Sequence, residues 1–119
     1  MKLIPDDLIA KLRANGAFNE HLRNQGGHEM DFMPVVKLFN PSGAATWLLT
    51  EIDPHDTDLA FGLCDLGMGF PELGYVSLSE IAGVKTVLGI PIERDESFRA
   101  TKTLSAYADE ARKFERIIT

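Results

Sequence analysis

Three apolar runs joined by two short connections occupy the middle of the chain, between residues 34 and 79. The first two runs, PVVKLF and ATWLLTEID, flank the tetrapeptide Asn40–Gly43, which reads Asn-Pro-Ser-Gly. Proline at the second position and glycine at the fourth are typical of a type I turn with a glycine bulge. The third run, DLAFGLCD, follows the loop PHDT. This order predicts consecutive antiparallel strands, to which ELGYVSL adds a fourth.

The two connections also predict a register. We expect Asn40 to pair with Ala44 across the turn and Asp53 to pair with Asp58 across the loop. One face of the sheet is then almost continuously apolar, and it carries Val36, Leu38, Leu48, Thr50, Ile52, Leu59, Phe61 and Leu63. The other face pairs larger residues with small ones: Trp47 with Cys64, Leu49 with Gly62 and Glu51 with Ala60. A large indole and a carboxylate are therefore expected on a half-exposed second face.

Helical patterns flank these strands. Pro5 suits the first position of a helix, and Gly16 is expected to end it. Apolar residues recur at helical spacing over about 104–117, whereas residues 17–33 show no clear pattern. The sequence therefore predicts a single α+β domain of residues 1–119. Its fold would be a four-stranded antiparallel meander with an N-terminal and a C-terminal helix packed on one face, the Leu48 face.

The charge balance limits the function classes. Eighteen acidic residues outnumber twelve Lys and Arg, which gives a net charge of -6. Such a chain lacks the basic surface that nucleic acids and anionic lipids attract, so neither is expected as a partner. The single cysteine cannot form a disulfide within the chain, and no run approaches the ~20 apolar residues of a membrane span. We expect a cytoplasmic protein.

The stretch DLGMGFPELGY, residues 65–75, contains three glycines but is not predicted to bind phosphate. Glu72 stands where a dinucleotide-binding motif requires a third glycine, and no helix follows to direct its N-terminus at a phosphate. Asp65 and Glu72 would also repel an anion. The stretch is better explained as a connection between two strands.

Carboxylates crowd the predicted strands, and two interpretations stay open. Three aspartates surround His55 without the spacing of a calcium-binding loop, so they are expected to be solvated turn residues. Glu51 differs because it lies in mid-strand near Trp47. It is either an acid or base with a raised pKa or a residue at the rim of an exposed sheet face.

No cofactor and no metal site are predicted. The three histidines are not spaced as metal ligands, and the single cysteine has no ligand adjacent in sequence. If the chain is an enzyme, the alternative we consider is a metal-assisted hydrolase. It would use Glu51 and Glu72 together with His55 or Asp65.

Several short motifs occur in order along the chain. They are F-x-P-x-G-x-x-T-W at 39–47, T-E-x-D at 50–53, F-G-L at 61–63, PELGYxSLxE at 71–80 and PIERD at 91–95. Together they resemble a bacterial family of small proteins of unknown function, often encoded near plasmid and mobile-element genes. The resemblance covers about residues 36–103 and implies a shared fold and a mobile-element setting, but no reaction. It marks as candidate site residues Trp47, Glu51, Glu72, Tyr75, Glu80, Glu93, Arg94 and Asp95.

These observations favour a small non-enzymatic binding or accessory protein that uses an acidic, aromatic sheet face. Trp47 and the 67–75 loop would form the binding surface. The partner would be a protein or a small molecule. Because a meander has two open edges, dimerisation through a sheet edge is a further expectation.

Overall fold

A computed structural model describes residues 2–119 of the chain. Its helices and strands are α1 (Asp6–Asn24), β1 (Val36–Phe39), β2 (Thr46–Asp53), β3 (Asp56–Asp65), β4 (Glu72–Ser77), α2 (Leu78–Ala82), β5 (Glu93–Arg94) and α3 (Leu104–Phe114). Within the described residues the strands form one antiparallel sheet in the order β4-β3-β2-β1-β5. The predicted α+β class, antiparallel sheet and terminal helices are confirmed. The predicted number of four strands is wrong, because β5 pairs with Leu38 and Phe39 of β1.

The terminal helices pack on opposite faces of the sheet, so the prediction that both cover the Leu48 face is wrong. Leu12 of α1 belongs to a buried cluster with Trp47 and Leu49, whereas Leu104 of α3 belongs to a second cluster with Leu48. Trp47 is only 5% exposed. It is a core residue rather than part of an open face, because α1 covers the side of the sheet that was expected to be half-exposed.

The pairing of β1 with β2 differs by one residue from the predicted register. Val36 pairs with Leu49, since the turn is longer than expected and the Asn40 N–H donates to the Ala45 carbonyl at 2.9 Å. A slip of one residue moves every side chain of a strand to the other face. Val36 and Leu38 therefore pack in the cluster on the α1 side.

The connection from β2 to β3 is shorter than predicted. Asp53 pairs with Asp56 rather than Asp58, which leaves Pro54 and His55 between the strands. The expected four-residue loop is therefore wrong, although the hairpin itself is present.

Gly16 lies in the interior of α1, so the predicted end of the helix at this residue is wrong. The glycine permits a close contact with β2, because a β-carbon at this position would stand 1.8 Å from the Ile52 carbonyl oxygen. Next to it, Asn15 Nδ2 donates to the Thr50 carbonyl at 2.9 Å. The helix thus crosses the backbone of β2 beyond the last residue that pairs with β1.

The C-terminal helix α3 agrees with its prediction to within three residues at its end. Its first turn is anchored to the segment after α1. The Leu104 N–H donates to the Phe32 carbonyl at 2.9 Å, and the Ser105 N–H donates to Asp31 Oδ1 at 3.2 Å. None of the helices in residues 2–119 is long and apolar enough to cross a membrane.

Candidate functional site

A β-bulge in β2 determines the position of Glu51. The register with β3 is the predicted one as far as Leu49, but Glu51 then pairs with Phe61 rather than Ala60. Phe61 pairs in turn with Tyr75 of β4, and the two rings meet edge to face with centroids 5.2 Å apart. The bulge therefore creates a row of Glu51, Phe61 and Tyr75 across three strands, as bulges commonly redirect a side chain.

The carboxylate at one end of this row is held by Asn19 of α1. Asn19 Nδ2 donates to Glu51 Oε2 at 2.7 Å, and the two side chains are 2% and 6% exposed. The same amide binds the backbone of Met30, since Oδ1 accepts from the Met30 N–H at 2.7 Å and Nδ2 donates to its carbonyl at 3.2 Å. Asn19 thus joins α1, β2 and the segment that follows α1.

Burial raises the pKa of the Glu51 carboxyl above its ordinary value, and the hydrogen bond from Asn19 offsets part of this rise. Glu29 raises the pKa further and Arg23 lowers it, so both lie within electrostatic reach. Glu51 does not line the cleft described below. The carboxyl is therefore placed to respond to pH.

At the other end of the row, β4 is an edge strand whose outer side pairs with no strand of residues 2–119. Tyr75 is 51% exposed and Leu73 is 38% exposed, and the preceding loop adds Met68 and Phe70 at 69% and 80%. β4 contains no Lys and no Pro, residues that commonly protect a sheet edge. The outer backbone groups of β4 thus have no strand partner among residues 2–119, and partly exposed apolar side chains lie beside them.

The loop before β4 is held by the buried carboxylate of Asp65. Oδ1 accepts from the Gly67 N–H at 2.8 Å, and Oδ2 accepts from the Ile117 N–H at 3.0 Å. Gly67 and Gly69 have φ values of 82° and 84°, which glycine adopts readily. The glycine-rich stretch is thus a strand connection, and Asp65 has a structural role in it.

Glu72 and Glu51 do not share a site. Glu72 pairs with Cys64 and lies three residues before Tyr75 on β4. This offset separates Glu72 from Tyr75, and hence from the row that contains Glu51, by about 10 Å. An odd offset also directs the two side chains to opposite faces of the strand. Of the candidate residues, the structure brings together Glu51 and Tyr75.

The remaining candidates lie elsewhere. Glu80 is an exposed residue of α2, and its N–H donates to the Ser77 hydroxyl that caps this helix at 3.2 Å. Glu93 and Arg94 form β5 at the edge of the sheet opposite β4, and Asp95 follows directly. The motif PIERD thus marks a second region of the molecule.

Side chains at the β2–β3 hairpin have partners within the chain. Asp58 accepts from the hydroxyls of Ser77 at 2.6 Å and Ser79 at 2.9 Å, and these bonds lower the pKa of its carboxyl. His55 Nε2 lies 2.7 Å from Glu20 Oε2. Among residues 2–119, no three His, Cys, Asp or Glu side chains group closely enough to hold a metal ion. The hydrolase alternative therefore has no ligand set in this part of the chain.

Sequence reasoning missed Asn19 and Arg23, because both lie in the segment for which no pattern was recognised. A signal was nevertheless present. Leu12, Gly16, Asn19 and Arg23 follow one another at spacings of four, three and four residues, which places them on one helical face. Extending α1 along this face would have directed both polar side chains at the sheet.

Together the fold and the row define a small α+β protein with a buried carboxylate and an open, aromatic edge strand. The family model "Protein of unknown function (DUF2958)" matches residues 3–118, and the chain belongs to this family. The predicted resemblance to a family of unknown function is thereby confirmed, while the mobile-element setting stays a prediction. Neither a curated protein nor a solved structure matches the chain significantly.

Proposed function

We propose that this protein is a non-enzymatic binding protein that adds an extended segment of a partner protein to its sheet along β4. The open edge of β4 is the observation that carries the proposal. An edge strand offers its outer N–H and C=O groups to an added strand, and neighbouring side chains supply selectivity. The six residues Glu72–Ser77 provide such an edge.

The side chains of β4 favour a partner segment with alternating apolar residues. Leu73 and Tyr75 are two residues apart and therefore lie on the same face of the strand. Phe61 packs against the Tyr75 ring from the neighbouring strand. Apolar side chains at alternate positions of an added strand would cover this partly exposed row.

The charges around Tyr75 favour basic residues in the same segment. Burial raises the pKa of the Tyr75 hydroxyl, and the negative charges of Glu51, Asp53 and Glu29 raise it further, while Arg23 lowers it. A Lys or Arg of the partner would meet attraction here and could also stack on the phenol ring. A second copy of the chain brings the same net charge of -6, which opposes self-pairing along β4.

The proposal places this binding in the cytoplasm and, following the family resemblance, in a mobile-element setting. Imitation of DNA by an acidic surface has less support. Asp58 is engaged by two serine hydroxyls, and Asp53 accepts from the His55 N–H at 2.7 Å. Carboxylates occupied within the chain are poor substitutes for free phosphates.

A peptide titration followed by NMR of the ¹⁵N-labelled protein tests the proposal. Three peptides long enough to span β4 are compared: one alternating Val with Lys, one of identical composition with the two residue types in blocks, and one alternating Val with Glu. We expect saturable shifts of the β4 amides with the alternating Val-Lys peptide alone. Saturable shifts with none of the three, or centred on another strand, would overturn the proposal.

Two variants distinguish peptide binding at β4 from non-specific binding elsewhere on the surface. Tyr75→Lys should weaken the peptide affinity by about tenfold or more, because a ring contact is lost and a like charge is added. Val87→Lys is the matched control, since Val87 is 92% exposed and lies outside β4. Light scattering on the same samples should give the mass of a monomer. If the unchanged protein is a dimer and Tyr75→Lys is a monomer, β4 binds a second copy of the chain. That result would contradict the proposed partner.

A further inference from the structure

A cleft of about 470 Å³ lies between α3, Lys37 of β1 and the segment 95–102. This size is in the range of small-molecule sites in proteins. It lies toward the β1–β5 side of the sheet and includes Asp95 of the PIERD motif. The cleft is therefore separate from β4, and the binding proposed above makes no use of it.

The side chains lining the cleft carry an excess of positive charge. Lys37, Arg99 and Lys102 face two carboxylates, Asp95 and Glu110, in a chain that is acidic as a whole. Each carboxylate already has a lysine partner. Lys37 Nζ lies 3.4 Å from Asp95 Oδ2, and Lys102 Nζ lies 2.8 Å from Glu110 Oε1.

Arg99 is the cation of the cleft without a carboxylate partner among residues 2–119. Its Nη1 donates to the carbonyls of Phe98 at 2.8 Å and Glu96 at 3.3 Å, which holds the guanidinium in place. Nε and Nη2 donate to no group of the described chain. A guanidinium has five N–H donors, and the Nε–Nη2 edge is suited to bidentate binding of a carboxylate or phosphate.

Aromatic rings form another part of the lining. Tyr107 is 3% exposed, and its ring centroid lies 6.4 Å from that of Phe98. The Tyr107 hydroxyl accepts from the Thr101 N–H at 3.0 Å, and the Lys102 ammonium lies 4.9 Å from the ring centroid. The cleft thus combines a cationic donor edge with the partly exposed ring of Phe98, which packs against the buried ring of Tyr107.

We propose that this cleft binds a small organic anion that joins a phosphate or carboxylate group to an apolar ring. The acidic group would bind the Nε–Nη2 edge of Arg99, in the cleft that Lys37 and Lys102 also line. The ring would pack against Phe98, the partly exposed aromatic ring of the lining. Lys37 and Lys102 are each paired with a carboxylate, so Arg99 is the side-chain cation left to attract an anion.

NMR titrations with three probes test this site. Phenyl phosphate carries both features, inorganic phosphate lacks the ring, and 2-phenylethylamine carries the opposite charge. We expect phenyl phosphate to give saturable shifts of the amides in 95–102 and α3, with a Kd on the order of 1 mM for so small a ligand. Inorganic phosphate should bind at least about fivefold more weakly, and 2-phenylethylamine should give no saturable shift.

Arg99→Gln and Arg13→Gln form the matched pair of variants, because each removes one arginine charge and Arg13 is exposed on α1 away from the cleft. Arg99→Gln should weaken phenyl phosphate binding by about tenfold or more, and Arg13→Gln should leave it unchanged. Equal losses in both variants, or equal binding of all three probes, would overturn the proposal. The shifts map to 95–102 and α3 rather than β4, so this result is independent of the peptide titration.

Discussion

The carboxylate of Glu51 is enclosed by α1, β2 and the segment after α1. Its hydrogen bond from Asn19 satisfies one oxygen, and the same amide fixes the Met30 backbone. Burial nevertheless penalises the charged form, which is why the pKa of this carboxyl is raised. A buried group of this kind links the stability of the protein to pH.

We predict that Glu51→Gln is more stable than the unchanged protein at neutral pH. A carboxyl whose folded pKa lies above its unfolded value binds more protons when folded, so its contribution to stability falls as the pH rises from the unfolded to the folded pKa. Glutamine keeps the acceptor for Asn19 and removes the charge. Urea denaturation from pH 4 to 8 should show a gain for Glu51→Gln that grows as the pH rises above the ordinary glutamate value of about 4.3.

Glu72→Gln serves as the control for this prediction, because Glu72 is an exposed glutamate on β4. It should follow the unchanged protein across the pH range. A gain for Glu51→Gln that is constant with pH, or that Glu72→Gln reproduces, would show that burial of the Glu51 charge does not govern the effect.

The close contact between α1 and β2 depends on Gly16, although glycine is unfavourable in the interior of a helix. Alanine is favoured over glycine in a helix interior by about 0.5–1 kcal/mol, so Gly16→Ala would stabilise an isolated helix. Here the new β-carbon would meet the Ile52 carbonyl oxygen at 1.8 Å. We predict that Gly16→Ala lowers the free energy of unfolding by about 1–3 kcal/mol, the usual cost of overpacking.

The exposed neighbour Ala17 calibrates this measurement. Ala17→Gly should cost about 0.5–1 kcal/mol through helix propensity alone. Both variants are compared by urea denaturation monitored by circular dichroism. If Gly16→Ala stabilises the protein, α1 does not approach β2 as closely as the structure indicates.

The strands were predictable where side chains alternate clearly and uncertain where the backbone is irregular. Leu48 pairs with Leu63 as predicted, because facing apolar residues fix that register. The bulge before Glu51 leaves no signature in the sequence, so the row with Phe61 and Tyr75 could not be derived. The extra residue in the first turn likewise shifted β1 by one position, which exchanged the faces of Val36 and Leu38.

Candidate site residues followed the same division. Tyr75 was recognised because a strand motif carries it, and its exposure agrees with a surface role. Trp47 was assigned to a half-exposed face because alternation of side chains separates the two faces of a strand but does not show which face a helix covers. Arg99 was missed, since its importance arises from the cleft that α3 and the segment 95–102 form together.

One sheet supports two cores, because β2 and β3 supply side chains to both. Leu48 and Leu63 pack with α3 on one face, while Leu49 and Ala60 pack in the cluster on the α1 side. Unfolding of β2 and β3 would therefore disrupt both cores at once. The two layers should therefore unfold together, as expected for a small protein with one cooperative transition.

We predict that Leu104→Ala destabilises both layers at once. Leu104 is buried in the α3 cluster, and truncation of such a leucine costs about 2–5 kcal/mol. The single tryptophan, Trp47, lies in the opposite cluster and reports on the α1 side. In urea, Trp47 fluorescence and circular dichroism at far-ultraviolet wavelengths should shift to the same lower midpoint.

The control is Phe114→Ala, which truncates an exposed residue at the end of the same helix and should shift both midpoints little. A Trp47 transition that stays in place while the circular dichroism midpoint falls would mean that α3 unfolds from the sheet independently, and that β2 and β3 do not couple the two faces.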